Sequence, residues 1–159
     1  MRVIAIDPGY DRLGVAVMEY ENGQEVLLYS TCIESSKSDT LPDRLHTVGD
    51  AFLRVVEEYE PNTLAVETLF FNKNVKTAIG VAEARGALIY IAKSAGCVVH
   101  EFSPQQIKNA VTGYGKSDKK AVIDMVCRLV QGAPKKALDD EYDAIAVGVT
   151  CLATYGRNR

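Results

Sequence analysis

The 159-residue chain has no apolar run of about 18 residues, which excludes a membrane-spanning helix of the ordinary kind. It also lacks the marks of a secretory leader. MRVIAIDPGY reaches an acid at Asp7 and offers no small-residue cleavage site, so the expected location is cytoplasmic. Cysteine is scarce and scattered. Cys32, Cys97, Cys127 and Cys151 form no C-x-x-C pair, which argues against a zinc site and leaves reduced core thiols as the expectation. His46 and His100 have no partners in sequence and are read as surface or satisfied residues. There is no internal repeat and no low-complexity tail. GYGKS looks like the end of a phosphate-binding loop, but the pattern requires glycine where the chain has Ala110, and no strand precedes it, so nucleotide binding there is rejected.

What remains is an ordinary globular composition, 47% hydrophobic and 25% charged, in a length that suits one domain over residues 1–159. The net charge of −3 argues mildly against a nucleic-acid binder, but its distribution is uneven. Residues 1–102 carry 9 Lys/Arg against 15 Asp/Glu, whereas residues 103–159 carry 9 against 6. Lys108, Lys116, Lys119, Lys120, Lys135 and Lys136 make most of that basic part.

RVIAID is a continuous apolar run ending in an acid, the pattern of a central strand buried on both faces. RLGVAVMEY and EVLLYSTCI read as two further strands separated by the turn signal ENGQ. From Leu41 to Tyr59 the period becomes helical, with Leu45, Val48, Phe52, Val55, Val56 and Tyr59 on one face. TLAVE is a fourth strand, Val75 to Ala95 a helix rich in alanine and glycine, and GCVVHEF a fifth strand. SPQQIKNAVTG predicts a short helix with Ser103 as N-cap and Pro104 in its first turn. Lys119 to Val130 predicts another helix, QGAPKKA a linker, and Leu138 to Tyr155 the last helix. This order implies an α/β fold, a mixed five-stranded sheet with helices on both faces, whose ligands sit beyond the carboxyl ends of the parallel strands.

Acids gather at that edge. Asp7 ends the first strand and Glu67 the fourth, and the last helix opens LDDEYD. Asp140 and Asp143 share a helical face, but so, nearly, do Asp139 and Asp143, and spacing alone does not choose between Asp139 and Asp140. Two carboxylates about 4 Å apart repel by roughly 4 kcal/mol at an effective dielectric near 20. A cluster of four must be partly protonated or hold a divalent cation. An all-oxygen site suits Mg²⁺ or Mn²⁺, and two such ions can hydrolyse a phosphodiester. Beside Glu67, VETLFFNKNV places Phe70 and Phe71 directly before a polar stretch, where adjacent rings would meet water unless they touch something.

IAIDPGYDRLGVAV, LAVETLFFNKN and LDDEYDAIAVGVT together resemble the RuvC family of Holliday junction resolvases, over essentially the whole chain. The resemblance implies a ribonuclease-H-like fold and a crossover junction endodeoxyribonuclease that nicks four-way DNA junctions symmetrically, in recombination and repair. It implies a metal-binding catalytic quartet of Asp7, Glu67, Asp140 and Asp143, with two Mg²⁺ ions per subunit and Mn²⁺ as the alternative; the D-x-x-D-A pattern selects Asp140 over Asp139. It also implies a base-stacking role for Phe70 and backbone contacts from Lys108 and Lys119, to which Lys116 and Lys120 are additions of our own; Phe71 is read as a core residue. The expected partners are the junction, a second copy of the chain and, by family alone, a branch-migration motor complex. The small-residue helix lies at the family's dimer interface, and Ala84 and Ala87 are trial positions for it. A catalytically silent nucleic-acid-binding module is the competing reading, and the intact acids argue against it. A kinase or ATPase fragment is excluded by length, since that fold needs two such domains.

Overall fold

The computed structural model describes residues 1–69 and 75–156. In chain order the elements are β1 (Arg2–Asp7), β2 (Arg12–Glu21), β3 (Gln24–Glu34), α1 (Leu41–Tyr59), β4 (Thr63–Glu67), α2 (Val75–Ser94), β5 (Val98–Phe102), α3 (Pro104–Thr112), α4 (Lys119–Leu129), β6 (Val130–Gln131) and α5 (Asp139–Cys151), which continues into a π-helical turn, Leu152–Gly156. The strands form one mixed sheet in the order β5-β4-β1-β2-β3-β6. β1, β2 and β3 are an antiparallel meander, while β4 and β5 continue the sheet parallel to β1. Asn22 and Gly23 both take positive φ in the two-residue β2–β3 turn, the conformation that matches hairpin twist and that Asn-Gly tolerates.

Strand alternation sorts the core into two layers. Ile4, Ile6, Val15, Val17, Leu64 and Val66 pack with Val48, Phe52, Val55 and Val56 of α1 and with Leu88 and Ala92 of α2. On the opposite face, Val3, Ala5, Ala16, Met18 and Ala65 meet α3, α4 and above all α5. This second face is lined by small residues, so α5 lies close on the sheet. A Cβ at Gly148 would come within 2.5 Å of the Met18 sulfur, and one at Gly14 would overlap the Asp140 carbonyl.

The mixed sheet with helices on both faces is as expected, but the described residues give it six strands, not five. Val130 leaves the helix expected to contain it and, with Gln131, pairs parallel to Glu25 and Val26 of β3. The bare outer edge of β3 offers unpaired backbone groups, and a β-branched residue at a helix end readily takes them. The last helix has about the expected extent, but its final turn is widened to π geometry. Ser103 caps α3 in a capping box with Gln106, with Pro104 in the first turn, as its sequence indicates.

Candidate active site

The register of three strands assembles the acids. Asp7 pairs with Gly14 of β2, and Ile6 pairs with Val66 of β4, so Asp7 and Glu67 fall side by side at the carboxyl end of the sheet. Val3, Ala5 and Ala65 belong to the α5 face, so alternation puts Asp7 and Glu67 on that face too. Because Gly14 has no side chain, the first turn of α5 rests on the backbone beside Asp7, and Asp140 arrives there with it. Asp143 follows one turn later.

The charges feel one another. The Asp7 carboxyl is pushed up to about 7, first by burial and then by the charges of Asp143, Asp140 and Glu67, with Lys119 opposing. Burial also raises Glu67, helped by Asp143 and opposed by Lys108. Asp143 is raised by burial despite Lys119, with Asp139 and Asp140 adding to the rise. All four predicted acids are thus brought together. Asp139 stands apart from Asp7: it is 66% exposed against 27% for Asp140, and its partner is the Lys119 ammonium at 3.2 Å.

Two cations border the acids. Lys119 Nζ donates to Asp143 Oδ2 at 3.0 Å, and the Arg12 guanidinium lies 3.7 Å from Asp140 Oδ2 and 3.2 Å from Glu34 Oε1. Burial disfavours the charged form of Lys119, but its bonds to Asp143 and Asp139 outweigh that and raise its pKa. Glu67, Lys108, Lys119 and Asp143 line a cleft of about 260 Å³, with Ile107 and Val122 among its apolar walls. A larger cleft, about 620 Å³, adjoins it through Asp7 and Asp140 and is lined by Tyr10, Arg12, Ser35 and Lys37.

Lys116 and Lys120 are exposed on the α3–α4 connection and the start of α4, so the four predicted lysines lie on two neighbouring helices and the loop that joins them. Phe70 and Phe71 lie outside the described residues. His46 is exposed, and His100 stacks on Tyr155 with centroids 4.0 Å apart, so neither histidine joins the acids. Of the four free thiols, Cys97 and Cys151 are core residues as expected, but Cys127 is exposed and Cys32 only partly buried. Cys127 follows the buried Val126 on α4 and has its sulfur 3.9 Å from the Pro134 carbonyl.

Sequence reasoning missed Arg12 and Tyr10. Arg12 is positioned by its place as the first residue of β2, two pairs beyond Gly14, and nothing in the motif that contains it singles it out. Tyr10 packs its ring where a Cβ at Gly80 would come within 2.6 Å, and Arg44 lies 4.9 Å over that ring, so the turn after Asp7 is fastened to both α1 and α2. The tyrosine next to Pro-Gly was the available signal.

Comparison with known proteins bears on what this geometry is for. The profile of crossover junction endodeoxyribonuclease RuvC matches residues 3–151. The chain belongs to the RuvC family. Its relatives include the crossover junction endodeoxyribonuclease RuvC of Thermosipho melanesiensis, 42% identical over 157 residues and covering 99% of each chain. That of Finegoldia magna is 40% identical over 149 residues, covering 94% of this chain and 91% of its own. The solved structure of Thermus thermophilus RuvC in complex with Holliday junction substrate matches with a TM-score of 0.90 at 30% identity, over 99% of this chain and 95% of that one. The yeast mitochondrial Holliday junction resolvase, at 13% identity, TM-score 0.68 and coverage of 96% and 78%, shares the fold. RuvC-family nucleases depend on magnesium generally, and the donor set here, four carboxylates, has the hard oxygen chemistry that such an ion takes. As the side chains stand, however, no three of the described acids, histidines or cysteines enclose an ion.

Proposed function

We propose that this RuvC-family chain is a structure-selective endonuclease that resolves four-way DNA junctions by paired symmetric nicks during recombination and repair. The observation that carries the reading is the meeting of two strand-end acids with Asp140 and Asp143 of α5, where burial first and then the neighbouring charges push the Asp7 carboxyl up to about 7. Four carboxylates in one partly buried site are costly unless a cation neutralises them. Asp7, Glu67, Asp140 and Asp143 would hold Mg²⁺, two ions per subunit being our reading. Bound there, the metal supplies an activated water and charge stabilisation at the leaving oxygen.

The rest of the work falls to the chain's own groups. To serve as ligands, Asp143 and Asp140 must turn from Lys119 and Arg12, which frees both cations to face a phosphate. Lys108 lines the same cleft and, with Lys116 and Lys120, offers further phosphate contacts that position DNA without reading its sequence. Phe70 would stack on a base at the exchange point, a contact any base can make. Two symmetric nicks need two sites related by a two-fold axis, which a homodimer supplies. The surface that suits it is the α1–α2 groove, where Leu53, Tyr90 and Ile91 line a hollow of about 690 Å³. Tyr90 is 74% exposed there. A branch-migration motor as further partner, and a cytoplasmic location, rest on the family resemblance and the sequence.

A synthetic four-way junction and a linear duplex, each incubated with Mg²⁺ or with chelator, test the function. Cleavage confined to the junction with Mg²⁺ is expected. Equal cutting of the duplex, or cutting in chelator, would contradict it.

A further inference from the structure

The connection between α3 and α4 holds an aromatic side chain in solvent on a fixed support. Tyr114 is 60% exposed. Its backbone, by contrast, is tightly held. The Thr112 hydroxyl lies 2.8 Å from the Lys108 carbonyl, 3.1 Å from the Tyr114 carbonyl and 2.7 Å from the Ser117 hydroxyl, and it accepts the Tyr114 N–H at 3.2 Å. The Ser117 N–H closes the turn on the Tyr114 carbonyl at 3.1 Å. Gly113 takes φ +76° to end α3, and Gly115 packs so near α3 that a Cβ would come within 2.8 Å of Gln105. Asp118 then caps α4. A loop pinned at each step displays a ring that buries little of itself.

The surroundings say what kind of surface the ring meets. Lys116, Lys119 and Lys120 are exposed beside it, and Lys108 is on the preceding helix. Lys108 and Lys119, which flank the loop, both line the cleft with Glu67 and Asp143. Tyr114 is five residues from Lys119, so their Cα atoms lie no more than about 18 Å apart even at full extension. At 3.4 Å per base pair, that is about five base pairs of duplex.

We propose that Tyr114 is a second aromatic contact to the junction, its ring packing against a nucleotide of one arm near the phosphate that Lys119 meets, while the flanking lysines take phosphates. This deepens the junction-nuclease reading and rests on it. The contact is non-ionic, and that separates it from the lysines. Each phosphate contact by a lysine adds about 0.9 to the salt dependence of duplex binding, and a packed ring adds none.

The test is fluorescence anisotropy of a labelled four-way junction in chelating buffer over a series of salt concentrations, for wild type, Tyr114→Phe and Tyr114→Ser. Tyr114→Ser should bind at least about fivefold more weakly, the low end for a stacked ring, with an unchanged salt slope and an unchanged melting temperature. Tyr114→Phe should stay within about twofold of wild type. Binding by Tyr114→Ser within twofold of wild type overturns the proposal. So does an equal loss in Tyr114→Phe, which would make the hydroxyl the contact, or a shallower salt slope in Tyr114→Ser. A wild type that binds the junction no better than a duplex would instead sink the junction reading itself.

Discussion

Asp7 titrates near neutrality because it is short of both water and countercharge, and that has a measurable consequence. Its folded pKa is about 7 against an ordinary 3.8, so between those values the folded protein carries a proton that the unfolded chain has lost. Such a group contributes stability that is fully present below about pH 4 and lost as pH rises through about 7. Glu67 and Asp143 are shifted the same way and add to the slope. In chelator the melting temperature should therefore fall by several degrees between about pH 5 and about pH 7.5, each kcal/mol being worth about 2–4 °C in a chain of this size. Asp7→Asn should remove a large part of that fall, and added Mg²⁺ should offset it at the higher pH in wild type. A wild-type profile flat over this range would mean that the acids are not as closely coupled as the structure places them.

At the scale of elements, the site depends on how closely α5 approaches the sheet. Gly14→Ala sets a methyl group against the Asp140 backbone, which cannot swing away as a side chain can. Overpacking of this sort costs about 1–3 kcal/mol, and here the strain falls on the turn that carries Asp140. Urea unfolding should show that loss, and cleavage per folded molecule should fall as well. Gly148→Ala meets mainly the flexible Met18 side chain and should cost less. Normal cleavage per folded Gly14→Ala molecule would separate Asp140 from the chemistry. Much of this arrangement was legible in the sequence, because an apolar run that stops at an acid marks both a buried strand and its polar end. That is how Asp7 and Glu67 could be read. The helix acids were harder, since Asp139 and Asp140 both lie within one turn of Asp143. What distinguishes their surroundings is the missing Gly14 side chain on another strand, a contact no local pattern encodes. β6 was illegible for a different reason: two residues have no period, and only the open edge of β3 makes them a strand. Nothing in the stretches that contain Arg12 and Tyr114 singles them out, and only their placement beside the acids and the lysines marks them.

For the whole molecule, the proposed pair of nicks requires a pair of protomers. On α2, Ala84 is buried in the protomer core, whereas Ala87 is exposed and lines the α1–α2 groove with Leu53 and Tyr90. Ala84→Glu would bury an unpaired charge and unfold the chain, so it is not a test of assembly. Ala87→Glu should leave the protomer folded and convert a dimer into a monomer, as read by light scattering at micromolar concentration. A dimeric mass for Ala87→Glu would move the interface elsewhere, and a monomeric wild type would remove the symmetric arrangement.

The central claim is that strand-end and helix acids form one phosphodiester-cutting site. Single-turnover cleavage of a four-way junction in Mg²⁺ by purified Asp7→Asn, Glu67→Gln, Asp140→Asn, Asp143→Asn and Asp139→Asn, alongside junction binding by each, tests it most directly. The account predicts that the first four bind the junction without cutting it, while Asp139→Asn cuts at close to the wild-type rate; full cleavage by any of the four, or its loss in Asp139→Asn, would contradict it.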